Sequence, residues 1–185
     1  MKSKWIALFG IAAAALAATA WVDDTPYLVA REAAVAPGKE APKFEAKLMS
    51  GKDIKFPEAY KGKIVLVDFW ATWCPPCRAE VPHIVKTFQT HGGEHFAVLS
   101  ISLDASRKRT AEQVTKYATD NKMAWDHVYE GVDAYAEAYG VTGIPAAFLI
   151  DADTGKILAM EDDLRGENLI KKVETAVKKK AAKKD

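Results

Sequence analysis

The sequence predicts an α/β domain in which helices flank a central mixed β-sheet and a β-hairpin precedes it. Three observations lead there. Ile64-Val-Leu-Val-Asp-Phe-Trp70 is apolar at alternate residues on both faces, as a strand covered on both sides must be. Val81, Ile84, Val85 and Phe88 recur at helical spacing soon after it. Ala146–Ile150 and Lys156–Met160 flank the turn Asp151-Ala-Asp-Thr-Gly155 and read as a hairpin.

The remaining elements follow in order. Phe44–Leu48 and Ile54–Phe56 alternate around the turn Ser50-Gly-Lys-Asp53, giving the N-terminal hairpin. Tyr60–Lys63 is a further turn, and the helix after strand 64–70 runs to about Thr90. Phe96–Leu103 is a second buried strand, and residues 109–122 form an amphipathic helix with Val114, Tyr117 and Ala118 inward. A short strand near Trp125–Tyr129 and a helix around Val132–Tyr139 come next. The last helix, residues 166–178, carries Leu169, Ile170, Val173 and Val177 on one side.

With 185 residues, 49% of them hydrophobic, the chain can bury one full core with some length to spare. The net charge of +1 is spread along most of the sequence, which leaves no electrostatic footprint for nucleic acid. Residues 1–20 read as a signal peptide or an N-terminal membrane anchor. Lys2 and Lys4 precede an apolar run from Trp5 to Ala20, and Ala18-Thr-Ala20 offers small residues of the kind a signal peptidase reads. The run is rich in alanine, which favours cleavage over a spanning helix. Either outcome places the domain outside the cytoplasm. Residues 21–36 read as a linker, 37–178 as the domain, and 179–185 as a solvated basic tail.

The chemistry concentrates in residues 69–82, FWATWCPPCRAEVP, which hold both cysteines of the chain. If Cys74 opens the helix, Pro75 and Pro76 fall in its first turn, where amides have no intrahelical partner. Cys74 then lies at the positive end of the helix, which favours its thiolate and makes it the attacking sulfur. Cys77, one turn inward and more shielded, suits the resolving role. Neither proline can donate an N–H to the Cys74 thiolate, so the Cys77 amide is its main nearby donor. Few donors mean a pKa nearer neutral and a reducing rather than oxidising pair. A structural zinc needs four ligands, and neither a second CxxC nor a paired histidine spacing exists among His83, His91, His95 and His127. A static disulfide here would close too small a loop to restrict the unfolded chain. A redox pair explains the motif better than a metal site or a staple, so no metal and no cofactor beyond the Cys74–Cys77 disulfide is expected.

Two carboxyls stand near this pair. Asp68 interrupts the strand on the side of Ile64, Leu66 and Trp70, where burial should raise its pKa. Glu80 lies three residues after Cys77, on the same helix face. Both are candidates for proton transfer. Pro82 removes the amide that would bond Arg78 and predicts a kink.

Val65–Cys77 and Tyr139-Gly-Val-Thr-Gly-Ile-Pro145 together resemble the thioredoxin superfamily, and within it the exported thiol–disulfide oxidoreductases related to TlpA and ResA. The resemblance runs from about Pro37 to Val177. It implies a thioredoxin-like fold with an α/β insertion at about residues 105–130. It makes Pro145 a cis-proline facing the active site, with Ile144 offering its backbone to an extended substrate segment. Trp73 would flank Cys74, and Pro75, Pro76 and Trp73 would shape the substrate contact. Glu80 matches the acid of that subfamily. Asp68 stands where many of these relatives carry Asn, so Asp68 and Glu80 compete for the proton-handling role, and Ala146 stands where Thr is common, a change expected to alter the substrate contact.

The resemblance implies a periplasmic dithiol reductase of disulfides in exported client proteins, of the cytochrome c or copper-site maturation type. A membrane thiol-reducing carrier would be its electron donor, because that compartment is kept oxidising. The alternatives are a disulfide oxidase or isomerase using the same sulfurs, and a copper-binding assembly factor. A peroxiredoxin would need a Pro-x-x-x-Thr before the cysteine, and residues 68–73 lack that proline.

Overall fold

The computed structural model describes residues 35–182. The predicted export segment 1–20, nearly all of linker 21–36 and the last three residues lie outside the described residues. Phe44–Lys47 (β1) and Asp53–Phe56 (β2) form a separate antiparallel hairpin. The main sheet takes Ile64–Trp70 (β3), Phe96–Ser102 (β4), Asp126–Val128 (β5), Ala146–Asp151 (β6) and Lys156–Met160 (β7). Their order is β5-β4-β3-β6-β7, with β3, β4 and β5 parallel and β6 and β7 antiparallel to their neighbours. Four helices complete the fold: Pro75–His91 (α1), Ala111–Asp120 (α2), Val132–Ala138 (α3) and Gly166–Ala181 (α4).

The alternation in β3 decides the layers. Every residue of this strand is buried. Val65, Val67 and Phe69 pack with the hairpin residues Ile54 and Phe56 and with Tyr139. Ile64 and Leu66, on the other face, pack with Ile84 of α1 and Leu169 and Val173 of α4. A third apolar cluster joins Trp70 and both cysteines to Val114 and Ala118 of α2. The predicted central strand thus becomes the middle of a three-layer domain, and its C-terminal end feeds α1.

Both edges of the sheet are closed by the segment that precedes β3. Gly38 N–H donates to the Ile157 carbonyl at 2.7 Å, and Ile157 N–H to the Lys39 carbonyl at 2.9 Å, covering β7. At the far edge Met49 N–H donates to the His127 carbonyl at 2.8 Å, beside a bridge between Leu48 and Val128. An exposed row of strand amides invites pairing with other chains, and this wrapping removes it.

Local chemistry sets the helix starts. Thr110 and Gln113 form a reciprocal capping box at α2, each side chain accepting the other's backbone N–H. Pro82 lies inside α1, which continues through it.

One expectation is corrected. The sequence predicts a solvated basic tail from residue 179, yet α4 runs to Ala181. Lys180 is no solvated tail residue: its side chain is 10% exposed and forms ion pairs with Asp151 and Asp153. Asp151 ends β6 and Asp153 lies in the turn after it, and sequence periodicity carries no trace of such a contact. Among the described residues, no helix is long and apolar enough to cross a membrane.

Candidate active site

Cys74 is the N-cap residue of α1, with Pro75 and Pro76 at its first two positions. Cys74 and Cys77 are disulfide-bonded, with Cα atoms 5.3 Å apart. The Cys77 N–H donates to Cys74 Sγ at 3.2 Å, while the prolines have no N–H to add. The expected difference in shielding is absent, since Cys74 is 3% and Cys77 2% exposed. The asymmetry lies in their contacts instead. Cys74 Sγ takes the Cys77 amide and has the Ile144 carbonyl oxygen at 3.7 Å.

That carbonyl belongs to the loop before β6, where the Ile144–Pro145 peptide is cis. Ile144 and Trp73 also line an adjoining cleft of 710 Å³, together with Leu103, Ala136, Val141 and Thr142. The Arg107 guanidinium stacks on Trp73, 3.8 Å from the ring centroid, a favourable cation–π arrangement. Pro75 and Pro76 are exposed beside the sulfurs. The fold therefore brings Trp73, Pro75, Pro76, Ile144 and Pro145 together around one disulfide.

The loop that presents Cys74 is held from below. Asp104, which has no exposed surface, accepts hydrogen bonds from the Thr72 N–H at 3.0 Å and the Thr72 hydroxyl at 2.5 Å. The Ser102 hydroxyl donates to the same carboxylate at 2.7 Å. Leu103 N–H closes the arrangement on the Trp70 carbonyl at 2.8 Å. These three donors satisfy the side-chain oxygens of Asp104 inside the protein.

Asp68 is equally buried and far less satisfied. It is 3% exposed and lies opposite Ser100 in the β3–β4 register. The Ser100 hydroxyl donates to it at a long 3.4 Å and accepts the Trp125 Nε1–H at 2.8 Å. Burial is the main reason its pKa is pushed up to about 7, while Arg165 and Ser100 pull it down and Glu80 adds a small push upward. Such a carboxyl can take up and release a proton near neutrality.

Glu80 is half-buried, and its Oε2 accepts the Gly166 N–H at 2.9 Å. Arg165, the adjacent residue, donates from Nη2 to the Pro145 carbonyl. The start of α4 therefore touches both the helix carrying the cysteines and the cis-proline loop. Arg165, Asp104, Ser100 and Arg107 are site residues that the sequence did not reveal. Asp104 alone left a trace, as an acid just past the end of a buried strand. Among the described residues, no group of three or more His, Cys, Asp or Glu side chains is arranged to hold a metal ion.

The model of the AhpC/TSA family matches residues 37–160. The chain belongs to the AhpC/TSA family. It is 31% identical over 142 residues to the thiol-disulfide oxidoreductase ResA of Bacillus thuringiensis subsp. konkukian, covering 77% of each chain. It is 32% identical over 121 residues to the thioredoxin-like protein YneN of Bacillus subtilis, covering 65% of this chain and 69% of that one. Among solved structures it resembles the thioredoxin domain of a thiol-disulfide oxidoreductase from Bacteroides vulgatus. That match has 33% identity and a TM-score of 0.67, covering 77% of this chain and 99% of the other. This AhpC/TSA member has the thioredoxin-like fold and is a thiol–disulfide oxidoreductase. Its CPPC pair at the head of α1 and its cis-proline loop fit that activity.

Proposed function

We propose that the protein works as an exported dithiol reductase of client disulfides, with Cys74 attacking and Cys77 resolving. The observation that carries this reading is the single backbone amide on Cys74 Sγ, contributed by Cys77. One donor leaves the thiolate only moderately stabilised, so the reduced form is a good electron donor.

In the first step Cys74 thiolate attacks one sulfur of a client disulfide. A Cys74–client S–S bond forms, the client S–S bond breaks, and the leaving client thiolate takes a proton. Cys77 then loses its proton to a nearby carboxylate and attacks Cys74 Sγ. The Cys74–Cys77 bond forms, the mixed disulfide breaks, and the second client thiolate is protonated. Two electrons and two protons pass to the client, and the enzyme ends as the disulfide.

Asp68, poised near neutrality, is the acceptor we favour for the Cys77 proton, with Glu80 adjusting its charge. The cleft beside Trp73 and Ile144 receives the client segment, which lies extended along the cis-proline loop as an added strand would. The export-like residues 1–20 support action outside the cytoplasm, in the periplasm, soluble after cleavage or held by that segment. In that oxidising compartment a membrane thiol carrier must re-reduce the pair. Cysteines of haem-attachment or copper sites in exported proteins are the client class we favour.

Trapping tests the roles. Reduced Cys77→Ala protein mixed with a synthetic disulfide-bonded peptide should accumulate a dithiothreitol-releasable adduct on Cys74, and Cys74→Ala should form none. Adduct on Cys77 in the Cys74→Ala variant, with none in Cys77→Ala, would reverse the assignment.

A further inference from the structure

We propose that Arg165 is a positioning residue of the thiol chemistry: one side chain ties down the cis-proline loop and sets a positive charge on the buried Asp68. This deepens the functional reading above and rests on it for the role given to Asp68.

The geometry begins with the chain turn into α4. Leu164 is buried at 2% exposure and fixes the end of the preceding turn. Arg165 is extended, and Gly166 takes φ +51°, a left-handed conformation that glycine tolerates best. Consecutive residues therefore reach separate parts of the site. Arg165 donates to the Pro145 carbonyl, and the Gly166 amide donates to Glu80 of α1.

The groups acting on Asp68 come from three elements. Arg165, at the start of α4, holds the Pro145 carbonyl two residues before Ala147, the β6 partner of Asp68, which puts the guanidinium at the Asp68 end of β3. On the carboxyl itself, Ser100 of β4 supplies a long hydrogen bond, Glu80 of α1 a negative charge, and Arg165 a positive one. Burial and Glu80 favour the neutral acid; Arg165 opposes them. A guanidinium suits both tasks because it stays charged and can give one N–H to a carbonyl while its charge acts elsewhere.

Helix packing does not account for an arginine here. Leu169 and Val173 seat α4 against Leu66 and Ile84 without it. A cation at a helix N-terminus is also opposed by the helix dipole, and Arg165 makes no side-chain cap. Its position is unfavourable to its own helix and is explained by what it does for the loop and the carboxylate.

The test is titration of the Asp68 carboxyl carbon by NMR in the oxidised protein, where neither client nor redox direction enters. In Arg165→Met the midpoint should rise by about one pH unit or more, as loss of a nearby opposite charge predicts. Arg165→Lys should restore most of that shift. In the wild-type protein, the Arg165 side-chain nitrogen signals should follow the same midpoint as Asp68, a readout that needs no variant. An unchanged midpoint in folded Arg165→Met, an equal shift in Arg165→Lys, or Arg165 signals indifferent to Asp68 would each overturn the proposal. Failure of the reductase reading would instead appear in the trapping experiment and leave these titrations unchanged.

Discussion

Thr72 gives both its backbone amide and its hydroxyl to Asp104, an aspartate with no exposed surface. Thr72 stands two residues before Cys74, so this contact fixes the loop that delivers Cys74, the sulfur we propose attacks, to the head of α1. The same loop is also held by the Cys74 N–H on the Ala71 carbonyl at 3.1 Å and by Arg107 stacked on Trp73. Asp104→Ala would leave the buried Ser102 hydroxyl and the two half-buried Thr72 donors without their acceptor, at about 1–3 kcal/mol for a fully buried group left unsatisfied and less for the Thr72 donors. We expect a loss of about 3 kcal/mol in urea unfolding, accompanied by slower attack on a disulfide peptide. Thr72→Val should lose less, because the amide bond to Asp104 survives.

Asp68 should behave in the opposite sense. Its pKa is about 7 in the folded protein against 3.8 for an ordinary aspartate, so between those values the folded state holds a proton that the unfolded state has released. Stability must then fall as pH rises from about 4 to 7, and the penalty is complete above 7. A gap of about three pH units corresponds to roughly 4 kcal/mol, less whatever Arg165 loses when its partner goes. Asp68→Asn should therefore stabilise the oxidised protein by ~2–3 kcal/mol at pH 8 and have little effect at pH 4. Paired urea melts at the two pH values check this. The same variant should slow the resolving step by ~100-fold, the usual scale for loss of a positioned base.

The prolines make a prediction about direction. Pro76 occupies the second helical position, whose amide commonly caps the N-cap side chain. Pro76→Ala supplies that amide, and a hydrogen bond to a charged group is worth about 1.5–3 kcal/mol. The Cys74 pKa should drop by about one unit, and the reduced form gains stability. Its potential should move up by ~30 mV, toward an oxidant. Thiolate absorbance against pH and equilibration with glutathione read the two effects.

Lys180 tests how the chain ends. It pairs with Asp153 at 2.7 Å and also with Asp151, whose side chain is only 15% exposed. Removing the lysine leaves that partly buried carboxylate without its cation. Lys180→Met should cost about 1–2 kcal/mol, seen as a lower urea midpoint. A change indistinguishable from zero would return residues 179–182 to the status of a solvated tail.

Much of this fold was legible because its signals are local. β3 is apolar on both faces, so its central place followed from its residue pattern, and α2 followed from the spacing of Val114, Tyr117 and Ala118. The cysteines and prolines were equally readable, since helix-terminus chemistry needs only neighbouring residues. Arg165 and Asp104 were not. Each acts on residues tens of positions away: Asp104 through the pairing of β4 with β3, and Arg165 where the start of α4 meets the cis-proline loop. Lys180 escaped for the same reason: a lysine-rich end looks solvated until a turn between two strands supplies its carboxylates. The equal burial of Cys74 and Cys77 corrects a subtler point. The roles we propose for them rest on which sulfur receives the amide, and exposure does not separate the two.

The central claim is that a pair capped by a single amide is a reductant. Equilibration of the purified domain against glutathione, followed by tryptophan fluorescence, measures this directly. The account predicts a potential near −270 mV, in the range of thioredoxin; a value near −120 mV, in the range of a strong oxidant, would contradict it.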